Sequence, residues 1–425
     1  MNDRSRQVAM IGATLWGNRG AEAMITTTVG LIRRYHPDAR FVLYSYLVDR
    51  DRELLRDDGV EVFDASPIML VLVHFPFAIL GGVLRKFGLS GSVRWLPRSM
   101  RRMAECDVLV DMMGISFADG REKFLPFNIL SIWPAMLLGV PVVKLSQAMG
   151  PFRHALTRCT AKWFVRRCRF VVARGRQTSE HLHDLHMPEG RWCEAADLAF
   201  LYEPEFSLTC ENESKLKVLL DHIESHREEG QLVIGISPSM VIHQKFVKHQ
   251  KDYVGRIIEL IRAVLGRGHR VVVLPNATRE GSNESRNNDL PVIEQLRRRM
   301  GAELCREDLE KVDWLNFDAN TDGIRRVIAG CDALVTSRFH AMIGSLALRT
   351  PVLVVGWSHK YKEVLSEFGL EQYVIDFQDI EVRLSLLLDD LLNHLPEIRQ
   401  TIARELPRVK ASAASQFRVL NELLS

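Results

Sequence analysis

DALVTSRFHAMIGSLALRTPVLVVGW, Asp332 to Trp357, reads as buried strand, sharp loop, helix and buried strand. The two apolar runs are nearly continuous in Val and Leu, as expected of parallel strands covered on both faces. The loop between them carries Ser337, Arg338 and His340 where the helix begins. A helix start offers unpaired N–H groups and the positive end of a dipole, which suits an anion. Arg338 adds a planar fork for phosphate or carboxylate, with its side chain expected to face a cleft rather than a core. His340 can carry a proton near neutral pH, or it can be an ordinary helix-start histidine. Open α/β sheets bind ligands at the carboxyl ends of their strands, where this loop sits.

The same alternation of short apolar run and helical pattern extends outward in both directions. Strands are predicted at Val8–Thr14, Ala39–Ser45, Val60–Ala65, Cys106–Met112, Pro141–Gln147 and Phe170–Gly175. A second set follows at Leu232–Ser237, Arg270–Asn276, Asp332–Ser337 and Pro351–Trp357. This pattern predicts α/β architecture, with two Rossmann-like domains facing each other across a cleft. The expected division is 1–202 for the first domain, on the acceptor side, and 203–230 for a polar linker. A second domain with the donor loop is expected over 231–385, and C-terminal helices over 386–425. With 425 residues the chain is too long for one ordinary core.

Other loops at predicted strand ends carry polar groups. GNRGAEAM places Asn18, Arg19 and Glu22 after the first strand, and Gly17 and Gly20 permit a close approach or positive φ. Asp111 ends the fourth strand, Gln147 the fifth and Arg174 the sixth. In the second half Lys245 follows Ser237-Pro238-Ser239, Asn276 ends a strand, and Lys360 follows the last one. Each is also compatible with plain turn chemistry. The spacings for a P-loop, Gly-x-Ser-x-Gly, His-Glu-x-x-His, paired-cysteine zinc site or dinucleotide fingerprint do not occur, so no metal site and no bound cofactor are expected.

Net charge is +3, which favours no nucleic-acid partner. Its distribution is uneven: no acidic residue occurs from Ala65 to Ala104, while Arg85, Lys86, Arg94, Arg98, Arg101 and Arg102 do. Within that stretch IMLVLVHFPFAILGGVL, Ile68 to Leu84, is strongly apolar. It is read either as a buried helix or as a helix lying in a membrane face, giving peripheral contact through residues 68–102; a crossing helix is disfavoured because the predicted strands on both sides belong to one sheet. Seven scattered cysteines fit free thiols in a reducing compartment, and the N-terminal stretch lacks a signal-peptide apolar core, so the expected place is the cytoplasm.

At these residues the chain resembles the polysaccharide pyruvyltransferase family. GNRGAEAM matches the family's glycine loop, SQAMGPF its Gln-x-x-Gly-Pro segment, and FVVARGRQTSEHL its strand-end arginine. The Ser-Arg-x-His loop, SRFHAMIGSLALRTPVLVVGW, followed by Lys360, is the strongest match. The resemblance implies a GT-B-like glycosyltransferase architecture, phosphoenolpyruvate as donor substrate and a sugar of a polysaccharide or lipid-linked glycan as acceptor. It further implies a pyruvate ketal as product and a role in exopolysaccharide biosynthesis at the cell envelope. By that analogy Arg338 and His340 bind the donor. The residues themselves suggest His340 for proton transfer, with Glu22 and Asp111 as carboxylates to test as base. Ser337, Arg174, Asn18, Lys245, Lys360 and Gln147 are the further substrate-binding candidates. Two departures stand out: Ser237-Pro238-Ser239 occupies a place where members often carry arginine, and Asn276 one where they often carry histidine. The alternatives are a nucleotide-sugar glycosyltransferase using the same loops and a non-catalytic scaffold.

Overall fold

The structure, a computed structural model, describes residues 5–89, 94–203, 212–281, 287–356 and 359–425. Trp357, quoted above, and Cys210, one of the seven cysteines, lie outside the described residues. The chain forms two compact units, one of Met1–Leu15, Ala21–Leu208 and Ala411–Ser425, the other of Trp16–Gly20 and Thr209–Lys410.

In the first unit the strands are β1 (Gln7–Ile11), β2 (Arg40–Ser45), β3 (Val60–Asp64), β4 (Val108–Asp111), β5 (Ile115–Ser116), β6 (Val142–Met149), β7 (Phe170–Arg174) and β8 (Trp192–Ala195). They run in the order β3-β2-β1-β4-β6-β7-β8, with β5 added to β6, and every recorded pairing is parallel. Alternate residues feed two apolar layers: Ala9 and Ile11 belong to one, Val8 and Met10 to the other. The two layers explain the continuous apolar runs, because each face of the sheet needs its own core.

The second unit holds β9 (Val233–Ser237), β10 (Arg270–Val273), β11 (Val312–Trp314), β12 (Ala333–Thr336), β13 (Val352–Gly356) and β14 (Val374–Asp376). The order is β11-β10-β9-β12-β13-β14, again parallel. Strand order reverses between β9 and β12, so the loops leaving these neighbours diverge and open a crevice at their carboxyl ends.

Three segments differ from the sequence reading, the first being Trp16–Gly20, expected in the first domain and found in the second unit. The stretch taken as linker holds the helix that KLKVLLDHIESH predicts, Glu213–Glu228, but this helix is part of the second unit and buries Leu216, Leu219 and Ile223. Ile223 packs so closely on Gly330 that a β-carbon there would lie 2.8 Å from it. The last helix, Leu395–Leu424, is divided: its residues from Ala411 onward belong to the first unit. Phe417, Leu420 and Leu424 enter an apolar layer there. Gln416 fixes the contact, donating to the Ala196 carbonyl at 2.8 Å and accepting from Ser146 Oγ at 2.8 Å.

Candidate functional site

At the switch point of the second unit, Thr336 of β12 pairs with Ser237 of β9. Each strand runs directly into a helix. Ser239 caps Met240–Lys248 and Arg338 caps Phe339–Ala347, both in extended conformation. Two helix N-termini therefore start from neighbouring strand ends. Tyr253 ties the turns together: its hydroxyl accepts the Ser239 N–H at 3.1 Å and lies 3.1 Å from Ser337 Oγ. Burial pushes this phenol up to about 12, so it stays neutral. The Ser237 hydroxyl is buried and has no hydrogen-bond partner among the described residues.

Arg338 departs from its expected exposure. Its side chain is 12% accessible and ion-pairs with Asp289, which is fully buried. Nε lies 3.0 Å from Oδ1, and Nη2 binds the same oxygen. That carboxylate also accepts from the Met240 N–H at 3.0 Å, Ala277 N–H at 3.0 Å and Asn276 N–H at 3.2 Å. A carboxylate taken fully out of water requires a counter-charge and satisfied lone pairs, and Arg338 with three backbone groups supplies them. Arg338 is therefore part of the loop's framework as well as a candidate anion ligand.

The glycine loop completes this cluster, since Trp16–Gly20 belongs to the second unit. Gly17 has φ +81°, and a β-carbon there would lie 2.9 Å from Arg279 Nε. A β-carbon on Gly20 would overlap the imidazole of His340. Both glycines thus allow the close approach that the sequence suggested. The Asn18 carboxamide accepts the Gly20 N–H at 3.1 Å, bending the chain into the helix Arg19–Tyr35. Arg19 is anchored through Nη2 to Asp318 at 2.6 Å and Thr278 Oγ1 at 2.8 Å.

The two lysines separate. Lys360 lies 4.6 Å above the Phe339 ring, beside the Ser337–His340 loop. Lys245 lies over Phe377 at 5.3 Å, at the far end of its helix. A helix rises about 1.5 Å per residue, which carries position 245 roughly 8 Å beyond the helix start. Asp289, Tyr253, Arg279 and Asp318 were not predicted as site residues. Asp289, next to the helix-starting Leu290-Pro291, carried the one usable signal.

Glu22, Asp111, Gln147 and Arg174 belong to the first unit. Glu22 is buried in the first turn of Arg19–Tyr35, two residues beyond Gly20. Asp111 is not the open base expected for it. It is fully buried and ion-paired with Lys144, and its other oxygen accepts the Met113 N–H at 3.0 Å. Gln147 joins the same network, donating to the Asp111 carbonyl at 2.8 Å and accepting from Ser116 Oγ at 2.6 Å. Arg174 is committed to Asp197 at 2.8 Å and to the Gly114 carbonyl at 2.8 Å. These three hold the loop after β4 in shape. Lys144 lies inside the predicted strand Pro141–Gln147 and is not among the residues the sequence singles out.

Two features elsewhere do not extend the site. Asp119, Glu122 and His154 lie close together, but they are bound to one another and to the Arg153 N–H. The described cysteines are all free thiols.

A family model described as polysaccharide pyruvyl transferase matches residues 18–359. The amylovoran biosynthesis protein AmsJ of Erwinia amylovora is 22% identical over 312 residues, covering 73% of this chain and 71% of that protein. Among solved structures, Anabaena Alr3699/HepE in complex with UDP is similar, with a TM-score of 0.51, 12% identity and 99% of each chain covered. The UDP-GlcNAc 2-epimerase of Neisseria meningitidis gives 0.56 at 12% identity, covering 98% of this chain and 100% of the other. A glycosyltransferase of Rickettsia africae gives 0.53 at 11%, covering 99% of each. These structural likenesses show a shared GT-B-like fold. With the glycine loop from Asn18 onward, the Ser-Arg-x-His loop and all the sequence between them inside the matched region, the chain belongs to the polysaccharide pyruvyl transferase family.

Proposed function

We propose that this transferase moves the pyruvyl group of phosphoenolpyruvate onto two hydroxyls of one sugar in a polysaccharide or lipid-linked glycan. The observation that carries the reading is the packing of His340, on the Ser-Arg-x-His loop, against Gly20 of the glycine loop, beside the paired helix starts after β9 and β12. The donor's phosphate and carboxylate fit helix N-termini, and Arg338 supplies a cation whose charge is partly offset by Asp289. Lys360 stands next to the same loop.

The chemistry needs a proton on the donor's methylene carbon, attack of one sugar hydroxyl at C2, loss of phosphate, and closure by the second hydroxyl. One hydroxyl proton replaces the proton given to carbon and the other leaves with phosphate, so ketal and inorganic phosphate balance the reaction. His340 is assigned the proton given to carbon. Glu22, in the first turn of the helix Arg19–Tyr35, is assigned the base. The acceptor and the donor are the only other participants in this scheme. We place the enzyme on the cytoplasmic side, beside the membrane that carries such glycans.

The test is transfer of label from phosphoenolpyruvate to lipid-linked glycans, with a thermal shift run alongside. A ligand that binds the folded state raises its melting temperature. Phosphoenolpyruvate should do so and uridine diphosphate should not. Stabilisation by uridine diphosphate alone, with no label transferred, overturns the reading in favour of a nucleotide-sugar transferase.

A further inference from the structure

We propose that the exposed face of residues 67–89, with Trp95 and Trp163, is a docking surface for an anionic lipid bilayer, on which the helix lies without crossing it. Pro67–Lys86 is one continuous helical run of 20 residues with mean hydropathy 2.2, yet only 22% of its apolar 18-residue window is buried. Ile68, Val71, Leu72, Ile79, Leu80, Val83 and Phe87 are all exposed, from 43% for Ile79 to 75% for Phe87. Their spacing of three and four residues places them on one stripe. Single exposed apolar residues need no explanation, but a contiguous stripe marks an interaction site.

The opposite side of the helix is fixed to the first unit. Leu70, His74, Ala78 and Gly81 are buried. A β-carbon on Gly81 would lie 2.7 Å from Leu138, and one on Gly82 would lie 2.8 Å from the Leu137 carbonyl oxygen. Arg85 also donates to the Leu138 carbonyl. With one face so held, the helix has only the other to offer, which is the geometry of an interfacial helix rather than a span.

The stripe continues onto a second element. Phe75 packs at a tilt on Trp133 at 4.7 Å, and Trp133 meets Trp163 of the helix Ala155–Phe164 at 5.7 Å. Trp163 is 41% exposed and Leu156 61%. Arginines accompany the exposed tryptophans: Arg167 lies 4.1 Å over Trp163, and Arg94 lies 5.5 Å over Trp95. An apolar stripe, interfacial tryptophans and a cationic border together match acyl chains, the headgroup boundary and anionic headgroups in turn. A second copy of the chain fits less well, because face-to-face packing would bring one cationic border against another. The choice of a bilayer rests in part on the membrane-side location proposed above. The binding test needs no turnover, so failure of one reading can be told from failure of the other.

The experiment is flotation of the full chain with vesicles of phosphatidylcholine alone or mixed with phosphatidylglycerol. Sedimentation without vesicles gives the oligomeric state. The wild type should float with the anionic vesicles at low salt and be released at about 0.5 M salt. Leu72→Glu/Val83→Glu should lower the bound fraction at least about tenfold, while Val382→Glu/Leu386→Glu, exposed residues of the second unit, should not. Unchanged circular-dichroism melting shows that the variants fold. A wild type that stays unbound with anionic vesicles at low salt overturns the proposal. So does equal binding to both vesicle types, or a dimer that Leu72→Glu/Val83→Glu dissociates.

Discussion

Gly20 lies against the imidazole of His340, and a β-carbon on it would overlap the ring. The smallest side chain in the glycine loop therefore sets where the proposed acid can sit. Gly20→Ala should turn the ring away and lower kcat by at least about tenfold, a loss of roughly 1.4 kcal/mol of transition-state stabilisation. His340→Gln keeps a hydrogen-bonding group but cannot shuttle a proton, and should cost about 100-fold. If Gly20 acts only through His340, the double variant is no slower than His340→Gln alone. Additive losses in steady-state kinetics would show that Gly20 serves something else.

Arg338 and Asp289 give a prediction about stability as well as activity. Arg338→Ala leaves a fully buried carboxylate without its counter-charge, which typically costs about 3–5 kcal/mol. Donor affinity should fall too. Arg338→Met/Asp289→Asn removes both charges and should recover part of the stability, since an amide keeps only one of the two acceptor oxygens, but none of the donor binding. Urea unfolding and phosphoenolpyruvate titration on the same preparations separate the two effects. An Arg338→Ala protein as stable as wild type would mean that the pair is not formed in solution.

His74 predicts a pH dependence. It sits fully buried in the apolar helix, edge-on to Tyr44 at 5.6 Å, and neither ring nitrogen has a hydrogen-bond partner among the described residues. Burial lowers its pKa from 6.5 to about 4. The unfolded chain then binds a proton more readily than the folded one, so stability is full above about pH 6.5 and falls as pH drops toward 4. The loss from this residue approaches about 3 kcal/mol at the low end. In urea titrations, the wild type should lose more stability than His74→Leu between pH 7 and about pH 4.5. Parallel pH profiles for the two proteins would rule this out.

Much of this molecule follows from local pattern. The runs of Val, Ile and Leu located the strands from β1 through β4, β6, β7, β9, β10, β12 and β13 to within a few residues, because strands covered on both faces admit little else. The strands that escaped, β5, β8, β11 and β14, are two to four residues long; β8, β11 and β14 sit at sheet edges and β5 hangs off β6, where few flanking contacts demand an apolar run. Gly17 and Gly20 were legible because glycine takes a positive φ without strain and leaves room for a ring at touching distance.

Charge pairing was not legible, since it joins residues far apart in the chain. Nothing near Asp111 announces Lys144, and nothing near Arg338 announces Asp289, 49 positions away. Sequence showed groups able to bind an anion or take a proton; burial and partners decided which of them were already engaged. The apolar run at 68–84 is the converse case. Its composition made a helix certain, but only the packing of Gly81 and Gly82 on the segment at Leu137–Leu138 determined which side faces outward. Periodicity is written along the chain, whereas desolvation depends on what the folded chain brings alongside.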